Sequence, residues 1–264
     1  MTEVELQAAP EQIKSFWDDR AHAYGTSATA TLPERAMHAL EISAIERQLG
    51  DGLRIADVGC GNGYATIHHA RRFKSEFYGY DYSEPMIDYA NKALRTTPAR
   101  QLKGHVHFDV ADMVRMPCES DRFDRVITER AVQNLTSWAL QAQAIAELLR
   151  ITKPGGHLIM AECSQTGVEQ LNRWRSKVGR VVLDDIVPWH NLFLRDELML
   201  GLKNELPIKR IDIKHYSSTF TFVTRILPFW RPLYYQEVLP RLLPNVGRFG
   251  YFKLYLIEKE QLGK

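Results

Sequence analysis

Two hydrophobic periods take turns along the chain. Short apolar runs of strand length recur at Leu53–Val58, Glu76–Asp81, His105–Val110, Phe123–Thr128 and His157–Glu162. Between them, Tyr64–Arg72, Glu84–Leu94 and Ser137–Ile151 carry helical spacing, with Ser83 and Ser137 placed to cap the last two. Strands alternating with helices predict β-α-β units on a parallel sheet covered on both faces. Upstream, Glu11–Gly25 reads as a helix with Ile13, Phe16 and Trp17 on one face. Glu34–Leu49 is amphipathic through Met37, Leu40, Ile45 and Leu49. Met1–Pro10 is expected to fray, and Lys153-Pro154-Gly155-Gly156 predicts a turn. Downstream come helices over Gly167–Arg180 and Arg195–Leu202 and strands over Ile208–His215 and Tyr251–Glu258. A compact aromatic loop, Val187–Phe193, carries His190. The long stretch Tyr216–Gly250 holds Phe220, Phe222, Phe229, Trp230, Tyr234 and Tyr235, broken by Pro228, Pro232, Pro240 and Pro244.

The first strand runs into Gly59, Gly61 and Gly63 and then directly into a helix. Glycines there permit positive φ and close approach of a ligand to the backbone, and the helix start adds unpaired N–H groups. Gly-x-Gly-x-Gly differs from the dinucleotide fingerprint Gly-x-Gly-x-x-Gly, and an ordinary tight turn would also use such glycines. Asp81 ends the second strand eighteen positions after Gly63, where a carboxylate can accept from two ribose hydroxyls.

Asp57-Val58-Gly59-Cys60-Gly61-Asn62-Gly63, then Gly79-Tyr80-Asp81-Tyr82-Ser83, then Leu148–Gly156 form an ordered set. With these motifs the chain resembles the class I S-adenosylmethionine (SAM) methyltransferases over Ile13–Glu162; NAD binding is the weaker alternative. The resemblance implies an α/β fold: a three-layer, Rossmann-like, doubly wound sheet of about seven strands. The last strand would run antiparallel between the fifth and sixth, with a helical, aromatic cap inserted in the C-terminal half. One domain over 1–264 is expected, with lid helices at 11–49, a cofactor core at 50–165 and cap insertions at 166–205 and 216–250. By the same resemblance SAM, with product S-adenosylhomocysteine (SAH), would sit against Asp57, Gly59, Cys60 and Gly61. Asp81 would take the ribose, Tyr82 and Met86 would pack nearby, Asp112 would accept from the adenine amino group, and Met113 would give an apolar contact. A lid of the form Phe-Trp-Asp-x-Arg-Ala-x-x-Tyr would bring Trp17, Arg20 and Tyr24, with Arg20 pairing bidentately with the methionine carboxylate. Glu129, just past the fourth strand, suits the sulfonium and ammonium charges.

Composition narrows the class. At 264 residues one α/β domain is expected. Net charge of +2 gives no argument for nucleic acid. Cys60, Cys118 and Cys163 have no pair or metal spacing, which fits reduced thiols in a cytoplasmic protein. No run has the length of a membrane span and no signal segment opens the chain.

The acceptor is less legible. SAM needs chiefly to be presented in line; a hydroxyl acceptor gains from a general base, and an anionic one does not. Thr128-Glu129-Arg130-Ala131 stands where amide and base N-methyltransferases carry Asn/Asp-Pro-Pro-Tyr, which argues against nucleic-acid bases. His190 is the base candidate, with a packed histidine as the bland alternative. No grouping has divalent-metal spacing, so no metal is expected. Across Ile208–Phe249 seven basic residues face Asp212 and Glu237, an excess of +5. Mixed with aromatics, they suit an anionic or sugar-bearing small molecule; a homodimer interface or membrane-surface patch is the competing account. The reading is methyl transfer to an oxygen of a small-molecule or glycan-like acceptor. The alternatives are a catalytically inactive SAM-binding partner or a nucleic-acid methyltransferase.

Overall fold

The computed structural model describes residues 8–183, 186–226 and 244–261. Of the long insertion, Pro228, Phe229, Trp230, Arg231, Pro232, Tyr234, Tyr235, Glu237, Pro240 and Arg241 lie outside these residues, as do residues 1–7 of the expected frayed end. Seven strands follow in chain order: β1 (Arg54–Val58), β2 (Glu76–Asp81), β3 (His105–Val110), β4 (Phe123–Glu129), β5 (Thr152–Cys163), β6 (Ile208–Lys214) and β7 (Phe252–Lys259). The helices are α1 (Pro10–Tyr24), α2 (Arg35–Glu46), α3 (Tyr64–Arg72), α4 (Glu84–Thr96), α5 (Trp138–Ile151), α6 (Gln165–Lys177) and the short α7 (Asp196–Gly201) and α8 (Ser218–Thr221).

The sheet order is β3-β2-β1-β4-β5-β7-β6. β1 to β5 pair in parallel, and β7 runs antiparallel between β5 and β6, the arrangement the resemblance implies. Alternation along β1 feeds two cores. Ile55 joins Met37 and Ile45 of α2, Ala70 of α3 and Leu171 of α6 on one face. Ala56 and Val58 join Ile145, Leu148 and Leu149 of α5 and Met199 of α7 on the other. The three layers therefore follow from strands apolar on both faces.

One expected turn is not a turn. Lys153-Pro154-Gly155-Gly156 lies within β5 as a bulge: Phe123 pairs with Thr152, yet Arg125 pairs with His157. The extra residues are absorbed without ending the strand.

Past the bulge β5 delivers Glu162, fully buried, to the carboxyl edge. Its carboxylate accepts N–H bonds from Ala131 (3.0 Å), Val132 (3.1 Å) and Gln133 (3.3 Å) and the Thr128 hydroxyl (2.9 Å). The turn after β4 is thus held by a side chain of the neighbouring strand. Gln133 and Asn134 in turn bond Asn191 (3.2 and 2.7 Å), and Leu192 N–H donates to the Gln133 carbonyl (2.6 Å). That ties the His190 loop to the same edge. Replacing Glu162 with Ala leaves four buried donors unmatched and should cost about 2–3 kcal/mol. Urea unfolding of Glu162→Ala checks this; an unchanged midpoint would refute the role.

Candidate cofactor and active site

A cavity of about 310 Å³ opens at the carboxyl edge. Its floor is the β1 turn (Val58, Gly59, Gly61). Asp81, Tyr82 and Met86 stand on one side, and Asp112, Met113 and Val114 follow β3. Glu129, Arg130, Ala131, Asn134 and Leu135 follow β4. Pro10, Ile13 and Trp17 of α1 cross the mouth, and Thr31 closes a corner. The glycines are required by space as well as by backbone. A Cβ on Gly59 (φ +78°) would lie 2.3 Å from Ala131 Cβ, and one on Gly61 (φ +53°) 2.7 Å from Thr31 Cγ2.

Asp81 shapes the floor. Its Oδ2 accepts Gly61 N–H (2.8 Å) and its Oδ1 accepts Ser83 N–H (2.9 Å). Burial raises its pKa to about 6, against the pull of those two N–H groups. Asp57, also buried, accepts the Thr66 hydroxyl on Oδ2, while Oδ1 has no hydrogen-bond partner. Burial first, and the Glu129 charge second, raise it to about 7. Glu129 Oε1 is likewise buried without a hydrogen bond. Asp81 and Glu129 on the cavity, with Asp57 on the small pocket that shares Gly59, Thr31, Glu129 and Arg130 with it, are suited to hydroxyl donors and cations.

The arginine on the wall is already engaged. Arg130 holds φ +55°, rare for a residue with a side chain, and its guanidinium pairs with buried Glu41. Tyr216 donates to the other Glu41 oxygen (3.0 Å). His38, Glu41 and Glu129 each bring one ligand atom within 4.8 Å of the others, a grouping of cation-binding type that their sequence separation concealed. With Arg130 and Tyr216 on Glu41, a guanidinium fills the cation's role there.

Of the residues expected at the cofactor, Trp17, Asp57, Gly59, Gly61, Asp81, Tyr82, Met86, Asp112, Met113 and Glu129 gather around this cavity and the small pocket opening from it. Cys60 lines only that small pocket, and its buried thiol packs beneath the loop. Three expectations are corrected. Arg20 does not line the cavity: it donates to the carbonyls of Ala30 and Thr29 (both 2.6 Å) and lies over the Tyr24 ring (4.7 Å). The guanidinium fastens the lid's own chain instead of awaiting a carboxylate. Tyr24 is exposed and also off the cavity. His190 is not among the lining residues either. Its ring packs on Phe16 (4.2 Å) and Trp17 (5.7 Å), behind the lid, and burial followed by the Arg20 charge lowers its pKa to about 4.

Sequence reading missed Asn62 and Thr31. Asn62 Nδ2 donates to the carbonyls of Gly25 and Ser27 (2.8 Å each), tying the lid's exit to the glycine loop. Ser83 donates to Asp18 (2.6 Å), fastening α1 to the start of α4.

A family profile described as a methyltransferase domain matches residues 49–210. The chain belongs to the class I SAM-dependent methyltransferases. Among curated relatives, methyltransferase GfsG of Streptomyces halstedii is 27% identical over 165 residues, which are 58% of this chain and 54% of that protein. The chain spans about half the length of the curated relatives it matches first. Among solved structures, phosphoethanolamine N-methyltransferase 1 of Haemonchus contortus, in complex with phosphoethanolamine and SAH, superposes with TM-score 0.62 at 14% identity, covering 96% of this chain and 49% of that one. The [4+2]-cyclase SpnF superposes with TM-score 0.61 at 15% identity over the whole of both chains. These two likenesses establish the methyltransferase fold.

Asp81→Ala should weaken SAM binding roughly tenfold or more, since bonds to a charged acceptor are each worth about 1.5–3 kcal/mol. Gly61→Val should do more damage, its Cβ striking Thr31. The pH sign follows from the raised acids. Asp57 and then Asp81 take up protons as pH falls through about 7 and about 6 respectively, so affinity for SAM should be level above about 7.5, fall roughly tenfold per unit between about 7 and 6, and fall more steeply below that. Calorimetry across pH 5 to 8.5 checks both; affinity that rises on acidification would refute the assignment.

Proposed function

We propose that the protein transfers the methyl group of SAM to an oxygen of a small-molecule or glycan-like acceptor. The observation that carries the reading is the paired geometry of the floor. Asp81 is fixed through both oxygens to the glycine loop and to α4. Beyond it, Asp57 and Glu129 present buried oxygens lacking a hydrogen bond. Asp81 retains lone pairs for two ribose hydroxyls, Asp112 and Met113 flank the base, and Asp57 and Glu129 face the cationic end. Among the described residues the one cationic side chain lining the cavity, Arg130, is paired with Glu41, and the Gly-x-Gly-x-Gly spacing departs from the dinucleotide fingerprint; both support SAM over NAD.

SAM supplies an activated methyl on a sulfonium leaving group, so the chain's part is placement. Ile13, Trp17, Leu135 and Leu140 form an apolar wall on the open side, suited to a carbon-rich acceptor and to excluding water. Two described residues of the proposed cap segments connect to groups on this wall. Asn191 bonds Asn134, and Tyr216 reaches Arg130 through Glu41. Among the described residues of the basic stretch, Lys209 and Arg210 meet Glu258, Arg210 also meets Asp212, and Arg225 meets Glu34. That favours a small molecule over a nucleic-acid strand.

The test is a transfer assay with SAM and a panel of hydroxylated acceptors, reading SAH by mass spectrometry, beside calorimetry with SAM, SAH and NAD. SAM and SAH should bind and NAD should not; the reverse would sink the cofactor reading. Tight SAM binding with no SAH formed across the panel would favour the inactive partner. His190→Ala should change turnover by less than about threefold, because a general base is typically worth about 10²–10⁴-fold and this imidazole stands behind Phe16 and Trp17. A hundredfold loss at unchanged SAM affinity would make it the base after all.

A further inference from the structure

His69 on α3 is fully buried, and neither ring nitrogen has a hydrogen-bond partner. Nδ1 faces Glu46 Oε1 at 3.9 Å, and Nε2 faces Glu129 Oε1 at 3.8 Å. Both of those oxygens are buried and also lack a hydrogen bond. Four unmatched polar atoms therefore stand in one row, and the row ends at the cavity wall. A neutral imidazole carries one N–H and would turn a lone pair toward one carboxylate; only the imidazolium offers a donor to each. Burial works against that charge, but Glu129 and then Glu46 outweigh it and hold the pKa near 9. The other charged groups around the ring fit this assignment. Arg72 pairs with Glu46 Oε2 (3.1 Å), and His68 lies 3.4 Å from Glu46 Oε1 at the surface. Asp57 of β1 adds a further negative field, and burial keeps His38 of α2 neutral at physiological pH, with its pKa near 4.

We propose that His69 is a positioning residue: a buried imidazolium, braced by Glu46, that fixes the Glu129 carboxylate at the cavity wall to receive the cationic end of SAM. The inference rests on the SAM reading above and assigns to α3 a role in that site that no cavity-lining residue reveals. Without His69, Glu129 and Asp57 would be two buried acids in mutual repulsion, with the guanidinium on the cavity wall, Arg130, already paired with Glu41. The pair would take up a proton at a higher pH, and the receptor for a cation would lose its charge near neutrality.

The test is SAM calorimetry from pH 5.5 to 8.5 on wild type, His69→Gln and Glu46→Gln, with SAH binding and thermal melts as controls. In wild type the fall in affinity should begin below about 7.5, with its first midpoint near 7. In His69→Gln its midpoint should move up by about one pH unit, giving roughly fivefold weaker binding at pH 7 and near recovery at pH 8.5. Glu46→Gln, whose amide oxygen can still accept from Nδ1–H, should shift the midpoint less, in the same direction. A loss equal at every pH, with the midpoint unmoved, would make His69 merely structural and overturn the proposal; so would no change at all. Should His69→Gln fail to fold, an unmoved midpoint in Glu46→Gln overturns it equally. Wild type binding neither SAM nor SAH at any pH would instead bring down the cofactor reading, and this inference with it.

Discussion

Buried carboxylates accepting backbone N–H groups give the carboxyl edge of this sheet its shape. Asp81 of β2 takes an N–H from the β1 turn and another from the start of α4. Glu162 of β5 takes three consecutive N–H groups after β4. In each case an acid at one strand's end sets the path of a neighbouring strand's loop. Loops at such an edge otherwise leave amides that only water could satisfy. Burying the acids is unfavourable to their charge, and their pKa values rise to about 6 and 7 in consequence. At Asp81 the scaffold and the charge of the cavity are one and the same group.

The lid extends this logic outward. Asn62 stands within the glycine loop yet bonds the chain leaving α1, and Asp18 within α1 bonds Ser83 beside Asp81. Arg20 then closes the lid's chain on itself. Helix, glycine loop and strand-end acid are thus joined by side-chain hydrogen bonds.

The core of the fold was legible because it is local. Apolar runs of strand length, the three glycines, and Asp81 at a strand end are all written within short windows, and the sheet follows from them. The bulge in β5 was not legible: Pro-Gly-Gly signals a break in direction, and only pairing with β4 shows that the strand resumes. The helical period of α2 identified Met37 and Ile45, but it could not reveal that His38 and Glu41 also face inward, because the partners of Glu41, Arg130 and Tyr216, are some ninety and one hundred and seventy-five positions away. Arg20 and His190 have the right chemistry for a carboxylate and for a base. Whether such side chains reach a ligand is decided by contacts across the fold, and both were drawn into packing the lid. His69 gave no sequence signal, since a histidine in a nine-residue helix acquires meaning only from the two acids beside it.

The placement of β7 has a consequence for synthesis of the chain. Among the described strands β6 pairs only with β7, and β7 is also the sole cover for the far edge of β5. On the ribosome, β5 and β6 emerge first, each presenting an open row of N–H and C=O groups. Residues 215–251 must follow before the strand that joins them appears. At about 5–20 residues per second this gap lasts roughly 2–7 seconds. For that interval the nascent chain carries two unpaired edges, the state in which sheets recruit wrong partners. The half of the sheet farthest from the glycine loop is thus the half most exposed to misassembly, and β7 seals it only once its own eight residues have been made.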